Sequence, residues 1–150
     1  MNTFTEDLEV GKNSESIVLK IIQKKYPQAF GIEGYCKAYD IFIPEISQGV
    51  EVKRDYKSIE TGNIVVEIRM NGKLSALSTT KAHIWVFDVQ DVYAFFSPDR
   101  IRDCIIENNL DMRTFIGNGD TKPKDAYLIK RDLLFKYSNS LMRKKDETNT

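Results

Sequence analysis

The chain has 150 residues, of which 41% are hydrophobic and 29% are charged, and its 22 basic and 22 acidic side chains give a net charge of zero. This length is sufficient for one domain with its own core, and no segment approaches the ~18 consecutive apolar residues that cross a membrane. The acidic N-terminal segment does not match a signal peptide, and Cys36 and Cys104 are too isolated to suggest a zinc site or a disulfide framework. We therefore expect a cytoplasmic protein that does not associate with membranes.

The first predicted element is a helix from about Thr5 to Tyr26, with Thr5 as its N-cap and Pro27 directly after its end. The apolar stripe of this helix, taken at 3.6-residue spacing, includes position 15, which is a glutamate. We expect Glu15 to point toward whatever the helix packs on.

Strands and short helices are predicted along the rest of the chain. Three extended runs come first, followed by a short helix and two strands: Tyr39–Ile43, Val50–Lys53, Asn63–Ile68, Leu74–Ala82, Ile84–Val89 and Val92–Phe96. The later elements are a helix opened by Ser97-Pro98 that ends near Asn109, short strands near Arg113–Ile116 and Ala126–Lys130, and a helical turn around Leu133–Tyr137. This order predicts an α/β domain over residues 1–142, built on a single mixed sheet flanked by helices, with residues 143–150 as a disordered tail.

Basic residues are concentrated toward the C-terminal end of the chain. From Arg113 to Lys145 there are nine Lys or Arg residues against three Asp residues, whereas residues 1–112 contain thirteen basic and seventeen acidic residues. This asymmetry fits a basic surface beside an acidic site, and a solvated basic segment is an equally good interpretation.

Charged side chains interrupt two apolar runs in the segment YDIFIPEISQGVEVKRD, residues 39–55. Strand alternation places Glu51 and Lys53 on one face, and the short connection between the runs makes Asp40 a neighbour of Glu51. Glu15 arrives from the helix that packs on this sheet. Carboxylates that converge in a partly buried place need counterions, and Lys53 offsets only one charge.

A hard divalent cation, Mg²⁺ or Mn²⁺, would satisfy the remaining charge, because Mg²⁺ commonly needs only one or two protein carboxylates. Its expected ligands are Asp40, Glu51 and the backbone carbonyl of Val52, while Glu15 would hold a metal-bound water or a second ion. Such a metal lowers the pKa of a bound water and neutralises charge on a scissile phosphate. Lys53 could orient that water or stabilise the transition state. The pattern therefore favours phosphodiester cleavage.

Glu15 on a helix, Asp40 on a strand and Glu51-Val52-Lys53 on the next strand together resemble the PD-(D/E)XK nuclease superfamily. The chain is most similar to its small Holliday-junction-resolvase-like and phage-type members, over about residues 5–89. The resemblance implies a restriction-endonuclease-like core of order αβββαβ and Mg²⁺-dependent cleavage of DNA, with branched or structured DNA among the candidate substrates. It also implies a bacterial or phage-infected cell, and a possible homodimer. Tyr39 occupies the position of the proline in the name of the superfamily.

Several other polar residues are candidates for contact with the DNA backbone. By the same resemblance, Ser78 and Lys81 on the second predicted helix would face the active site, although a solvated helix-end lysine is equally plausible. Further candidates follow the Glu-x-Lys strand or lie in a polar loop: Arg54, Lys57, Lys122 and Lys124.

Asn63 and Glu67 lie on one face of the third extended run. Glu67 could join the acidic site or face solvent, and an auxiliary or structural role is the favoured interpretation for the pair.

Two alternatives to a nuclease stay open at this stage. One is a catalytically inactive nucleic-acid-binding module on the same fold. The other is an α/β protein in which Glu51 and Lys53 form a surface ion pair, a contact that contributes only about 0–1 kcal/mol. Burial and the distances among the four side chains distinguish these cases.

Overall fold

Four helices and ten strands lie within the residues that the computed structural model describes, which are 4–34, 37–116 and 122–144. The helices are α1 (Phe4–Gln23), α2 (Ser58–Thr61), α3 (Pro98–Glu107) and α4 (Arg131–Phe135), and a 3-10 turn covers Ala76–Ser78. The strands are β1 (Phe30–Gly31), β2 (Ile41–Ile43), β3 (Gln48–Arg54), β4 (Asn63–Met70), β5 (Lys73–Leu74), β6 (Ile84–Asp88), β7 (Val92–Phe96), β8 (Arg113–Phe115), β9 (Lys124–Lys130) and β10 (Ser140–Arg143). None of the described helices is long and apolar enough to cross a membrane.

The larger of two sheets has the strand order β1-β2-β3-β6-β7-β10. Strands β1, β2 and β3 form an antiparallel meander, and β6 runs parallel to β3, with Glu51 opposite Trp85 and Lys53 opposite Phe87. Strands β7 and β10 extend the sheet in antiparallel fashion beyond β6. Helix α1 is thus followed by three antiparallel strands and, after a long crossover, by a strand parallel to the third.

The second sheet has the order β5-β4-β9-β8, and all its pairs are antiparallel. Strand β4 belongs to the crossover between β3 and β6, and it pairs with β9 along most of its length. The register shifts between Glu67 and Arg69, which is the irregularity of a β-bulge.

Different layers cover the two faces of the larger sheet. On one face, Val18 and Ile22 of α1 pack with Ile41, Val50 and Val86. On the other face, the aromatic residues of β6 and β7 pack with apolar residues of the second sheet and of α3 and α4: Trp85, Phe87 and Phe96 with Ile64, Val66, Ile129, Ile101 and Leu134. Because β6 is covered on both faces, its sequence is a continuous apolar run rather than an alternating one.

The α/β class predicted from the sequence is confirmed, but the prediction of a single sheet is wrong. The run Asn63–Ile68 forms part of β4 in the second sheet, because its Ile64 and Val66 face the core while Val65 is exposed and the strand pairs with β9 instead of β3. The third strand of the meander is supplied by the two-residue β1, which was not predicted.

The helix predicted over Leu74–Ala82 is also wrong, since only a 3-10 turn forms there. Side-chain hydroxyls in this segment bond to nearby backbone and ring groups. The Ser78 hydroxyl donates to the Ile68 carbonyl at 2.7 Å, and the Thr80 hydroxyl accepts from Ala82 N–H and Trp85 Nε1–H. Such bonds compete with the helical backbone ladder, which explains why a helix does not propagate here.

The C-terminal part contains a strand that was not predicted, and its last residue, Arg143, is the first residue of the expected tail. Strand β10 pairs with β7, with Arg143 opposite Val92, and the Lys144 ammonium forms an ion pair with Asp88. The first two residues of the expected tail therefore have defined partners, and residues 145–150 lie outside the described part of the chain.

Candidate active site

Asp40 lies where β2 separates from β3. The ladder between these strands ends at the pair Ile41 and Val50, and beyond it the Asp40 N–H still donates to the Val50 carbonyl at 2.9 Å. The Asp40 carboxylate then accepts the N–H of Val52 through Oδ2 at 2.7 Å, so a side chain takes the place of the β2 backbone as the hydrogen-bond partner of β3. Asp40 is only 5% exposed, which makes its carboxylate a buried charge at an opening in the sheet.

The backbone of Val52 points into the same opening. In a β-strand the N–H and C=O of one residue project toward the same neighbouring strand, and the Val52 N–H projects toward Asp40. The Val52 carbonyl is therefore directed to the β2 side, where the ladder has ended. This is the orientation that the predicted metal ligand requires.

Glu51 and Lys53 project from β3 on the face opposite α1. Val50 packs with α1, and successive side chains of a strand point to opposite faces. The Lys53 ammonium is 3.7 Å from Glu51 Oε1 and 5.3 Å from the centre of the Trp85 ring. Burial raises the pKa of the Glu51 carboxyl to about 7, the charge of Asp40 and a hydrogen bond with it act in the same direction, and Lys53 opposes them only in part. Glu51 is therefore not an isolated surface ion pair with Lys53.

Glu15 reaches Asp40 from the α1 side of the sheet, and Lys37 connects them. The Lys37 ammonium is 3.0 Å from Asp40 Oδ1 and 3.5 Å from Glu15 Oε2. Burial, followed by the charge of Asp40, raises the pKa of the Glu15 carboxyl above its ordinary value. Burial alone would lower the pKa of the Lys37 ammonium, but its hydrogen bonds and charge interactions with Asp40 and Glu15 outweigh burial and raise it.

The site therefore contains three carboxyl groups and two ammonium groups, with Asp40 as the shared neighbour of Glu15 and Glu51. Among the described residues, no three His, Cys, Asp or Glu side chains are placed to hold one metal ion together. Asp40 and Glu51 are close enough to share a hydrogen bond, and the charge of Asp40 adds to burial in raising the pKa of Glu51. Two carboxylates and the Val52 carbonyl are oxygen donors of the kind that suits Mg²⁺ or Mn²⁺.

The predicted DNA-contact residues are dispersed. Lys81, Arg54, Lys57 and Lys122 are exposed, and the Arg54 guanidinium lies over the Tyr56 ring with its carbon 3.9 Å from the ring centre.

Ser78 and Lys124 have partners away from the acidic site. The Ser78 hydroxyl is committed to the Ile68 carbonyl, so its predicted place on a helix that faces the site is not found. The Lys124 ammonium lies 4.0 Å from Glu67 Oε1.

Glu67 and Asn63 belong to other surroundings. The Glu67 carboxylate accepts the Ser75 hydroxyl at 2.7 Å, on the face of β4 that Val65 shares and that points away from the larger sheet. The Asn63 N–H is bonded to the Thr61 hydroxyl at the start of β4. The contacts of the two residues give no support to an auxiliary role in the acidic site.

Sequence reasoning missed Lys37. Residues 37–40, which lead into β2, form irregular structure, where neither helical nor strand periodicity indicates which side chains converge. The available signal was its spacing, three residues before the buried Asp40, which is compatible with a local ion pair.

It also missed a second buried carboxylate, Asp88, at the end of β6. Asp88 is 1% exposed, and its carboxylate accepts hydrogen bonds from the Ser14 hydroxyl at 2.7 Å, the Tyr56 hydroxyl at 3.1 Å and the Gln90 N–H at 3.1 Å. The Lys144 ammonium completes this group at 2.9 Å. The cluster joins α1, β6, the segment after β3 and the end of β10.

Comparison of the chain with protein-family models, with curated proteins and with solved structures finds no match in any of the three.

Proposed function

We propose that this protein is a metal-dependent endonuclease that hydrolyses phosphodiester bonds of DNA, with branched or structured DNA as its substrate class. The observation that carries the proposal is the Asp40–Glu51 carboxyl pair at the strand opening, with the pKa of Glu51 near 7 and Lys53 beside it. A pair of partly buried carboxylates whose charge is not fully compensated lowers the stability of the fold, so its presence favours a functional role.

The order of elements adds support. Helix α1, the antiparallel strands β1 to β3 and the parallel strand β6 have the order that the resemblance to PD-(D/E)XK nucleases implies, although β1 supplies a strand that the sequence pattern assigned elsewhere. The crossover from β3 to β6 departs from that order, because it contains the four-residue α2 and strands β4 and β5 in place of the implied helix. Asp40 directly precedes β2 and Glu51-x-Lys53 lies on the neighbouring strand β3, so the acidic residues come at adjacent strands as the resemblance implies.

In this proposal Asp40 Oδ1, the Glu51 carboxylate and the Val52 carbonyl would hold Mg²⁺ or Mn²⁺. When bound, the ion would supply Lewis-acid stabilisation of phosphate charge and an activated water. Lys53 is held between Glu51 and the Trp85 ring, and its ammonium can donate hydrogen bonds to phosphate oxygens as negative charge develops on them. Asp40 Oδ2 stays on the Val52 N–H and so fixes the orientation of the carboxylate.

The direct test is cleavage of supercoiled plasmid and of end-labelled four-way junction, flap and duplex DNA in Mg²⁺ or Mn²⁺. We expect Glu51→Gln and Lys53→Met each to lower the cleavage rate by about 100-fold or more. Glu67→Gln is a matched control, because Glu67 is also a strand carboxylate near a lysine but lies away from the site, and it should retain activity within about twofold. Absence of cleavage on every substrate by the wild-type protein would refute the proposal.

A DNA-binding module without turnover is the second candidate. One observation favours it: Lys37 already neutralises part of the charge on Asp40 and Glu15, as a site that works without metal would require. DNA binding by the wild type that persists in Lys53→Ala, without cleavage in either metal, would select this candidate. The homodimer implied by the resemblance remains a prediction, and sedimentation equilibrium with and without junction DNA tests it.

A further inference from the structure

Lys37 occupies the place beside Asp40 that a divalent ion would need. Asp40 Oδ2 is committed to the Val52 N–H at 2.7 Å, which leaves Oδ1 as the oxygen available to an ion. The Lys37 ammonium is 3.0 Å from Oδ1 and 3.5 Å from Glu15 Oε2, and it also donates to the Ile32 carbonyl at 3.3 Å. One lysine thus spans the helix carboxylate and the strand carboxylate.

A bound ion and this ammonium would repel each other strongly at the same oxygen. Mg²⁺ binds carboxylate oxygen at about 2.0–2.1 Å, so both cations would lie within a few ångströms in a partly buried place. The Lys37 side chain is 24% exposed, which gives it a route to solvent on the surface of the site. Exchange of one cation for the other is therefore favoured over their coexistence.

We propose that Lys37 is an internal stand-in cation, which holds Glu15 and Asp40 together in the metal-free protein and is displaced when a divalent ion binds. The inference rests on the proposed metal site and identifies the residue that regulates it. Lys37 makes the metal-free site stable at the expense of metal affinity. Loss of its charge should tighten metal binding, because the ion no longer competes with an ammonium for Asp40.

The single tryptophan of the chain provides a measurement that is independent of cleavage. Trp85 lies opposite Glu51 across the β3–β6 pair, so excitation at wavelengths that indole absorbs and tyrosine does not would sensitise a luminescent lanthanide such as Tb³⁺ at the site through this residue. Tb³⁺ is a hard, oxygen-seeking ion, and its displacement by Mg²⁺ reports the affinity for Mg²⁺. The experiment uses the full chain without DNA.

We expect Lys37→Met to bind Mg²⁺ about tenfold more tightly than the wild type, the factor for a competing state that is about 90% populated. Lys73→Met, which removes an exposed lysine of β5, controls for the change in net charge and should bind as the wild type does. Equal or weaker binding by Lys37→Met, with wild-type binding and cleavage intact, overturns this inference alone. Absence of binding in both proteins overturns the proposed metal site and this inference together.

A second measurement covers the case in which Lys37→Met does not fold. Lysine side chains of the wild type are labelled by reductive ¹³C-methylation, and Lys37→Arg identifies the Lys37 signal by its loss. Saturating Mg²⁺ should move this signal toward that of a solvated lysine. A signal that stays in place while Mg²⁺ displaces Tb³⁺ contradicts the exchange.

Discussion

Two buried aspartates, Asp40 and Asp88, lie on the larger sheet and have opposite charge balances. Asp88 has donors from four groups, including the Lys144 ammonium, and no further carboxylate takes part among the hydrogen bonds and ion pairs described for it. Asp40 has the Val52 N–H and Lys37, but Glu15 and Glu51 crowd it from the two sides of the sheet. A complete set of partners indicates a structural role for Asp88, whereas the surplus charge at Asp40 is the feature on which the proposed metal site rests.

Helix α1 joins the two regions. Its Ser14 donates to Asp88, and the next residue, Glu15, is paired through Lys37 with Asp40. The cluster around Asp88 thus holds the helix at the position where Glu15 reaches the cluster around Asp40. We therefore expect changes at Asp88 to lower stability, and changes around Asp40 to alter metal binding and pH dependence.

The largest effect on stability is expected from Asp88→Asn. This change leaves the Lys144 ammonium without its carboxylate partner and replaces an acceptor of several hydrogen bonds, and we expect a loss of about 3–5 kcal/mol in the free energy of unfolding. Urea denaturation measures it. Asp132→Asn, at an exposed position in α4, is the control and should be nearly neutral. A loss below about 1 kcal/mol would show that Asp88 does not hold α1, β6 and β10 together.

Metal should stabilise the protein only through the Asp40 region. At a Mg²⁺ concentration of about 100 times Kd and pH 8, we expect about 2.7 kcal/mol of added stability, because the ion binds only the folded site. Glu51→Gln should lose most of this gain, and Glu67→Gln should keep it. Thermal unfolding with and without EDTA checks the result, and equal stabilisation of the two variants would place the ion elsewhere.

The pH dependence should expose the surplus charge of the Asp40 region. The pKa of Glu51 is about 7 in the folded protein against an ordinary 4.5, so the folded state binds the proton more tightly than the unfolded state. The contribution of Glu51 to stability is therefore complete below about pH 4.5 and is lost as the pH rises through about 7. We expect the metal-free protein to lose on the order of 1–3 kcal/mol between pH 5 and pH 8 from this group.

Glu51→Gln should lack that loss and be more stable than the wild type at pH 8, although we expect it to cleave DNA far more slowly. Urea denaturation across the pH range in EDTA measures both proteins. Parallel pH profiles for the two proteins would contradict the raised pKa of Glu51.

The smallest effect is expected from Ser14→Ala. It removes one of the hydrogen bonds to Asp88 and leaves Lys144, Tyr56 and the Gln90 N–H in place, so a loss of about 0.5–1.5 kcal/mol is expected. Ser16→Ala, an exposed neighbour on the same helix, is the matched control. A loss as large as that of Asp88→Asn would mean that the hydroxyl, and not the carboxylate, organises the cluster.

Local pattern was sufficient to predict part of the site. Strand alternation correctly placed Glu51 and Lys53 on one face, and the short connection between two runs made Asp40 and Glu51 neighbours, which the structure confirms. The helical stripe likewise predicted that Glu15 points inward. These contacts depend on neighbouring residues or on one hairpin, where periodicity is informative.

The remaining features depend on partners far along the chain. Nothing within Asn63–Ile68 specifies that β4 pairs with β9 rather than with β3, because an amphipathic strand fits either edge. The sequence predicted only that Asp88 lies near the end of the strand Ile84–Val89. Its partners Ser14, Tyr56 and Lys144 lie in three distant segments, so no local pattern indicated them. Lys37 lies in irregular structure, where no repeat indicates the direction of a side chain.

The position of Lys144 also affects the order in which the protein can assemble during synthesis. The larger sheet receives its last strand, β10, from residues 140–143, and the ammonium that pairs with Asp88 comes directly after that strand. While a ribosome is still adding earlier residues, Asp88 on β6 has no cation beside it. We therefore expect a ribosome-bound chain to become protease-resistant only if a linker after residue 150 is long enough to bring Lys144 out of the exit tunnel, so that β10 can pair with β7.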